Sequence, residues 1–421
     1  MKAFRGTLVD FTGDPRLDRG AFRHIEDGLL LVEDGRVVSA ESYQNTTGVD
    51  VVDYRGKLLM PGFVDAHVHS AQTDVIASAS DNLLDWLDRH TFPAEARFAD
   101  APYAREASEY FLDELLRNGT TTAAVFPSVH PESVDAFFDA AKRRGLRMAA
   151  GKVMMDRHCP PAVRDEAESS YRDAQALIHR WHGKGRLAYA VTPRFAPTSS
   201  ERQLELAGRL LQEHAGLLLQ THLSEHEEEV RWVRELFPWA RNYLDVYARY
   251  GMIRPGALFA HCLHLDAGEW DRLAACGAAA VHCPSSNLFL GSGLFDFAGA
   301  RRAGAAVSLG SDVGGGTSFS MLRTMHDAHK VAQMRRAPFD ALDGFYLATL
   351  GGARTLGMQE RIGSFQPGRD ADFIVLRQDA TPLLARRMAQ AESIEARLFL
   401  LMTLGDERAV EATYILGEIC Q

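Results

Sequence analysis

PGFVDAHVHS, residues 61–70, separates a β-rich beginning of the chain from a long alternation of strands and helices. Before it, GTLVDF (6–11), GLLLVEDGRVVSA (28–40) and YRGKLLMPG (54–62) are short apolar runs broken by Gly and Asp, a pattern typical of strands and turns. The tail has the same character in IGSFQPGRDADFIVL (362–376) and VEATYILGEI (410–419). We therefore expect residues 1–61 and 363–421 to form one small β-sandwich from both ends of the chain.

Between these ends the pattern predicts eight buried strands separated by helices. The helical stretch SERQLELAGRLLQEHAG (200–216) begins with Ser and stops at Gly, as helix caps prefer. Eight strand–helix units predict an α/β fold, a TIM-type (β/α)8 barrel, over residues 62–362. The strands are predicted to end near DAHVHS (65–70), TTAAVF (121–126), GKVMM (151–155), YAVTPRF (189–195), LLQTHLSE (218–225), LFAHCLHL (258–265), AVHCPSSN (280–287) and VSLGSD (307–312).

Histidines and one aspartate occur at several of these strand ends. His67 and His69 are two residues apart on the first strand, so their side chains face the same side. His222, His261 and Asp312 end the fifth, sixth and eighth strands. The carboxyl ends of barrel strands meet at one mouth, and nitrogen ligands with one carboxylate suit zinc or iron. The pattern therefore predicts a metal site, with a hydrogen-bonded structural cluster as the alternative.

Four other residues near the same mouth point to chemistry on a substrate. Glu225 follows His222 by three residues, where a carboxylate beside a metal-bound water can act as general base and then general acid. Arg194 and Phe195 end the fourth strand; a buried Arg needs an acceptor, which a substrate carbonyl or a structural salt bridge would provide. Gln72 can present amide donor and acceptor groups to the edge of a heterocycle.

Composition narrows the classes of function. The 421 residues carry a formal net charge of -10 without a basic stripe, which argues against nucleic acid as a partner. No apolar run approaches the length of a membrane span, and the N-terminus lacks the apolar core of a signal peptide. The five cysteines form no CxxC pair, so we expect a reducing, cytoplasmic compartment.

These motifs resemble those of the amidohydrolase superfamily over nearly the whole chain, from PGFVDAHVHS to GSFQPGRDADFIVL (363–376). Within it, LLDWLDRHTFPAE (83–95) and TPRF (192–195) are similar to segments of the guanine deaminase branch. So are the following segments: THLSE (221–225), HCPSSN (282–287), GSDVGGGTSFSML (310–322) and LATLGGA (347–353). No metal ligand is lost, which argues against the non-catalytic relatives. The fourth strand ends in TPRF, where two-metal barrel hydrolases carry a lysine, so we expect one ion.

The resemblance implies a role for each candidate residue. Glu225 would shuttle protons, and His261 would hold and polarise the attacking water rather than necessarily bind the ion. One zinc ion, with Fe²⁺ as the alternative, would be bound by His67, His69, His222 and Asp312. The substrate would be contacted by Gln72, Arg194, Phe195, His222, Glu225 and Asp312, and the catalytic groups would be Glu225, His261 and Asp312.

The resemblance also implies a reaction, in which water replaces the C2 amino group of guanine and releases xanthine and ammonia. A homodimer working in purine catabolism would be expected. One alternative is a deaminase of another aminated heterocycle, such as 8-oxoguanine, a pterin, cytosine or a triazine, because barrel hydrolases change substrate through their loops. The other is a scaffold protein that uses a non-catalytic barrel as an interaction surface.

Overall fold

Two sheets organise the part of the chain that the computed structural model describes, residues 1–44, 48–80 and 82–420. Their strands are β1 (Lys2–Phe11), β2 (Phe22–Glu33), β3 (Arg36–Ser42), β4 (Val51–Pro61), β5 (Phe63–His69), β6 (Thr120–Phe126), β7 (Arg147–Ala150), β8 (Val153–Met154), β9 (Ala188–Pro193), β10 (Leu218–Leu223), β11 (Ala257–His261), β12 (Ala279–His282), β13 (Ala306–Leu309), β14 (Phe373–Leu376), β15 (Val410–Ile415) and β16 (Glu418–Ile419).

Helices follow most of the barrel strands and cover the outside of the sheet. They are α1 (Leu83–Trp86), α2 (Phe92–Ala96), α3 (Ala101–Arg117), α4 (Pro131–Arg143), α5 (Ala167–Trp181), α6 (Glu201–Glu213), α7 (Glu227–Leu236), α8 (Tyr243–Arg249), α9 (Ala267–Cys276), α10 (Pro284–Phe289), α11 (Phe297–Ala303), α12 (Met321–Met334), α13 (Ala341–Leu347), α14 (Leu350–Thr355), α15 (Pro382–Met388) and α16 (Ile394–Leu404). Ser200 caps α6 as predicted, since its side chain accepts a hydrogen bond from the Gln203 amide. No helix in the described ranges is both long and apolar enough to cross a bilayer.

The larger sheet is a nearly closed barrel of parallel strands in the order β13-β12-β11-β10-β9-β7-β6-β5. The predicted barrel is confirmed, and each predicted strand end falls at or just beyond the carboxyl end of an observed strand. The third strand differs in detail, because it is divided into β7 and β8, and only β9 pairs with β8. Backbone hydrogen bonds from Asp312 N to His67 O and from His69 N to Val313 O connect the last strand to the first.

Gly151 lies between β7 and β8, where the backbone passes very close to β9. A Cβ at this position would lie 1.7 Å from the Ala190 carbonyl oxygen in β9. We expect Gly151→Ala to lower the free energy of unfolding by roughly 1–3 kcal/mol, because a strand backbone must shift to admit the methyl group. Denaturant unfolding measures this change. Gly268→Ala in α9, where the nearest atom is 3.3 Å away, is the control; equal destabilisation by both would contradict the prediction.

The smaller sheet has the order β16-β15-β14-β4-β1-β2-β3, so both ends of the chain build it, as predicted, and its strands join in one hydrogen-bonded sheet. Side chains alternate between its faces, as the period of two requires. On one face, Phe373 stacks on Tyr414 with ring centroids 4.4 Å apart, within the sheet's own apolar cluster. On the other face, Ile374 and Met60 belong to the large apolar cluster that includes barrel strands and the helices around them. The sheet thus packs on the outside of the barrel. The boundaries at residues 61/62 and 362/363 stay a prediction.

Candidate active site

Imidazole nitrogens and one carboxylate converge at the carboxyl ends of the barrel strands. One ligand atom from each of His67, His222, His261 and Asp312 lies within 4.8 Å of the others. The Nε2 atom of His69 lies 3.2 Å from that of His67, 3.3 Å from that of His222 and 3.3 Å from Asp312 Oδ1. The structure therefore brings together all five residues that the sequence placed at one mouth.

The local backbone explains why these side chains point inward. His261 and Asp312 have φ angles of 71° and 51°, in the left-handed region that non-glycine residues rarely occupy. Ser224, next to Glu225, has a φ of 52°. Strained backbone of this kind tends to cluster at functional sites, where the surrounding structure holds it in place. Buried Asp65 provides part of this support, accepting hydrogen bonds from the backbone amides of His67 and Ser311 at 3.2 and 3.0 Å.

The protonation of the cluster suits a cation. Burial lowers the pKa of His69 to about 3 and that of His222 well below its ordinary value, so these imidazoles are neutral and offer lone pairs. Burial alone would raise the pKa of Asp312, but the neighbouring His67 and His69 side chains lower it well below its usual range. Buried neutral nitrogens around one ionised carboxylate are a donor set that divalent metal ions prefer.

His261 supplies a direct test of whether a metal fits. Its Nδ1 lies 2.8 Å from Asn287 Oδ1, and because an amide oxygen only accepts, Nδ1 carries the proton. Its Nε2 atom is buried and lacks a hydrogen-bond partner among the described residues. A buried unpaired acceptor costs free energy unless a ligand satisfies it. The lone pair of Nε2 is therefore available to a cation or to a water held beside one, and the residues present fit a metal.

Glu225 lies at the edge of the cluster, with its Oε2 atom 3.4 Å from His261 Nε2. Burial and the nearby Asp312 and Glu229 carboxylates raise the pKa of Glu225 well above its ordinary value. Glu229 fixes the turn that presents Glu225, because its Oε2 atom accepts the Glu225 backbone amide at 2.8 Å and its Oε1 atom accepts the Tyr243 hydroxyl at 2.6 Å. Glu225 is thus a rigidly positioned carboxyl group that holds a proton readily.

Arg194 takes part in a buried network that the sequence analysis left as an alternative. Its Nη1 atom donates to Glu95 Oε1 and Oε2 at 2.7 and 2.8 Å. Gln72 belongs to the same network, since its Nε2 atom donates to Glu95 Oε1 at 3.0 Å and its Oε1 atom accepts the Gly314 amide at 3.2 Å. Glu95, in the TFPAE segment, was missed as a site residue because it lies 99 positions from Arg194 and on a different element.

These groups line a cavity that encloses about 380 Å³ of space, part of it open to solvent. Polar side chains and Phe195 form much of its wall. The sequence analysis also missed Ser286, whose buried hydroxyl lacks a partner among the described residues. The lining residues are His69, Gln72, Leu83, Trp86, Leu87, Arg194, Phe195, His222, Glu225, His261, Ser286, Leu290, Asp312 and Gly315.

A parallel barrel with buried histidines and an aspartate at its mouth defines the class of metal-dependent barrel hydrolases. Residues 58–420 match the model of the amidohydrolase family, and the chain belongs to that family. It is 48% identical to guanine deaminase of Escherichia coli (strain K12), over 100% of this chain and 97% of that protein.

Solved structures agree with this placement. The solved structure of E. coli guanine deaminase superimposes with a TM-score of 0.98, covering 100% of this chain and 99% of the other. Guanine deaminase from C. acetobutylicum, with guanine bound in its active site, superimposes with a TM-score of 0.92 at 28% identity and covers 100% of both chains. Within the amidohydrolases, the chain therefore belongs with the guanine deaminases.

Proposed function

We propose that this protein hydrolyses guanine to xanthine and ammonia. The observation that carries the proposal is the position of Glu225, whose carboxyl group is held beside the His and Asp cluster within one cavity. Arg194 lines the same cavity and provides donors for a carbonyl group. The names of the similar proteins support the same substrate.

The metal is proposed to be one zinc ion, bound by His67, His69, His222 and Asp312, with Fe²⁺ as the alternative. When bound, zinc would lower the pKa of a coordinated water to roughly 7, which makes a nucleophile available near neutral pH. His261 would orient the attacking water through its unpaired Nε2 atom, because Asn287 keeps the ring proton on Nδ1.

Arg194 would donate a hydrogen bond to the O6 carbonyl of guanine, and Phe195 would form an apolar wall beside the ring. Gln72 Oε1 accepts the Gly314 amide and has a second lone pair that could accept a ring N–H, while its Nε2 atom lies 3.0 Å from both Glu95 Oε1 and His69 Nδ1. Adenine carries an amino group in place of O6, so its donor would face the donors of Arg194. A site built around such a hydrogen bond rejects the analogue that cannot make it.

Glu225 and Asp312 would carry the proton transfers. Glu225 accepts one proton from the attacking water and passes it to N3, which makes C2 more electrophilic, and the water oxygen bonds to C2. Asp312 then accepts the remaining hydroxyl proton and relays it to the amino group as the C2–N bond breaks. One water is consumed and one ammonia leaves, so atoms and charge balance. The raised pKa of Glu225 supports its role as a proton carrier near neutral pH.

The cellular setting is proposed from the cysteines and from the family resemblance. All five cysteines are unpaired, which fits a reducing cytoplasm. A homodimer and a place in purine catabolism follow from the family resemblance.

We expect purified protein to release ammonia from guanine in proportion to its zinc content, measured in the same sample. Guanine should exceed adenine in kcat/KM by at least about 10⁴-fold, because adenine has no amino group on C2 and its C6 amino group would face the donors of Arg194. A panel with 8-oxoguanine, a pterin, cytosine and a triazine ranks the alternative substrates. Faster turnover of any of these than of guanine would overturn the assignment, and the absence of a stoichiometric metal would favour the scaffold.

A further inference from the structure

Glu95 and Arg194 form a buried ion pair beside the cavity. Both side chains are almost completely buried, at 0% and 3% exposed. Glu95 contributes no surface to the cavity, whereas Arg194 lines it. The guanidinium group therefore faces the ligand while its counter-charge lies in the protein.

Each carboxylate oxygen of Glu95 is engaged by the residues that are proposed to contact the substrate. Oε1 accepts from both Gln72 and Arg194, and Oε2 accepts from Arg194. In addition, the backbone carbonyl of Glu95 accepts the Ser128 hydroxyl at 3.0 Å, which ties α2 to the loop after β6. One carboxylate thus sets the position of two side chains on the cavity wall.

The charge of this pair matters because the site is shielded from water. A lone guanidinium at this depth would attract an anion strongly, because charges interact more strongly in a buried site than in bulk water. With Glu95 at hydrogen-bond distance, the charge of Arg194 is balanced and the pair has no net charge, although Arg194 still donates hydrogen bonds. Such a wall fits the carbonyl of an uncharged base better than an ionised one.

We propose that Glu95 is a positioning and selectivity residue that makes the cavity prefer neutral oxopurines over ionised ones. The proposal rests on the proposed function and deepens it. Xanthine, with carbonyls on both sides of a ring N–H, is a stronger acid than guanine, so the product is more readily ionised than the substrate. Because Glu95 balances the charge of Arg194, the site binds ionised xanthine less tightly, which favours release of the product.

The test compares equilibrium binding of xanthine and hypoxanthine at one mildly alkaline pH, where xanthine is largely ionised. Hypoxanthine carries the same C6 carbonyl and is less acidic. In the zinc-loaded protein, Glu95→Gln is expected to tighten xanthine binding relative to hypoxanthine by at least about tenfold. It should also raise KM for guanine more than it lowers kcat, since Glu225 and Asp312 are unchanged. The control is Glu106→Gln, which removes the same charge from an exposed position of α3.

A further variant separates charge from structure. Glu95→Asp keeps the charge on a shorter side chain, so the ratio of the two dissociation constants should stay near the wild-type value even if the guanine KM rises. A ratio that is unchanged in Glu95→Gln, or altered equally in Glu95→Asp, would overturn the proposal.

If Glu95→Gln fails to fold, the proposal is tested by measuring the binding of both ligands to the wild-type protein. Hypoxanthine should bind it at least as tightly as xanthine, and tighter binding of xanthine would refute the proposal. These measurements do not require turnover, so a wild-type protein that binds hypoxanthine yet releases no ammonia from guanine would contradict the proposed function alone.

Discussion

Glu225→Gln is expected to lower kcat for guanine deamination by about 10²–10⁴-fold, the range typical of a lost general acid–base group. The amide has nearly the same shape as the carboxyl group but cannot accept the water proton or carry it to N3. Because Glu229 holds the turn through the backbone amide of residue 225, the fold around the site should persist. Steady-state ammonia release measures kcat. Zinc content and thermal unfolding, measured on the same preparation, show whether the metal site and the fold persist.

The matched control is Glu235→Gln, which removes the same charge from an exposed position of α7, the helix that follows Glu225. It should retain wild-type kcat and KM. Undiminished turnover in Glu225→Gln would rule out the proton-shuttle role, and a loss of zinc in that variant would assign Glu225 to the metal rather than to proton transfer.

Asp312→Asn is expected to abolish stoichiometric zinc binding and to lower guanine turnover by at least about 10³-fold, because the ionised ligand is lost and water is no longer activated. Stability should fall as well. A ligand present at 1,000 times its dissociation constant stabilises the folded state by about 4 kcal/mol, and the variant forfeits this contribution. Metal analysis and thermal unfolding, each with and without added zinc, measure both effects.

Two comparisons make this result specific. Chelation of the wild-type protein should reproduce the loss of activity and the lower midpoint of unfolding, and zinc should restore both, whereas the variant should not recover. Asp271→Asn, at an exposed position of α9, should behave as wild type throughout. Full zinc content in Asp312→Asn would contradict the assignment of Asp312 as a ligand.

The barrel and the metal cluster could be predicted because each rests on a rule that acts along the sequence. Buried parallel strands are continuous apolar runs, and their carboxyl ends must share one mouth, so His222 and Asp312 could be placed together although they are far apart in the chain. The same rule identified Glu225, since it lies three residues after His222, just beyond the end of the same strand. Local sequence and topology were sufficient for these residues.

The remaining part of the site depends on contacts that no local pattern encodes. Glu95 is in a five-residue helix after a stretch without regular periodicity, and nothing in TFPAE indicates that its carboxylate reaches Arg194. Asn287 lies in HCPSSN, but nothing in that segment indicates that its side chain reaches His261 at the end of β11. Side-chain partners across elements are set by the tertiary structure, so the choice between a substrate contact and a salt bridge for Arg194 required the structure, which gives Arg194 a position suited to both.

The candidate metal ligands meet where the first barrel strand, β5, joins the last, β13, so the site can form only late in folding. Asp65 bonds to Ser311 across 246 positions of the chain, and the histidines that follow Asp65 meet Asp312 at the same junction. Contacts between such distant residues raise the contact order and slow folding, because a long loop must close before they form. A chain still emerging from the ribosome cannot bring the candidate ligands together until the last barrel strand has been synthesised. We therefore expect metal binding to follow closure of the barrel.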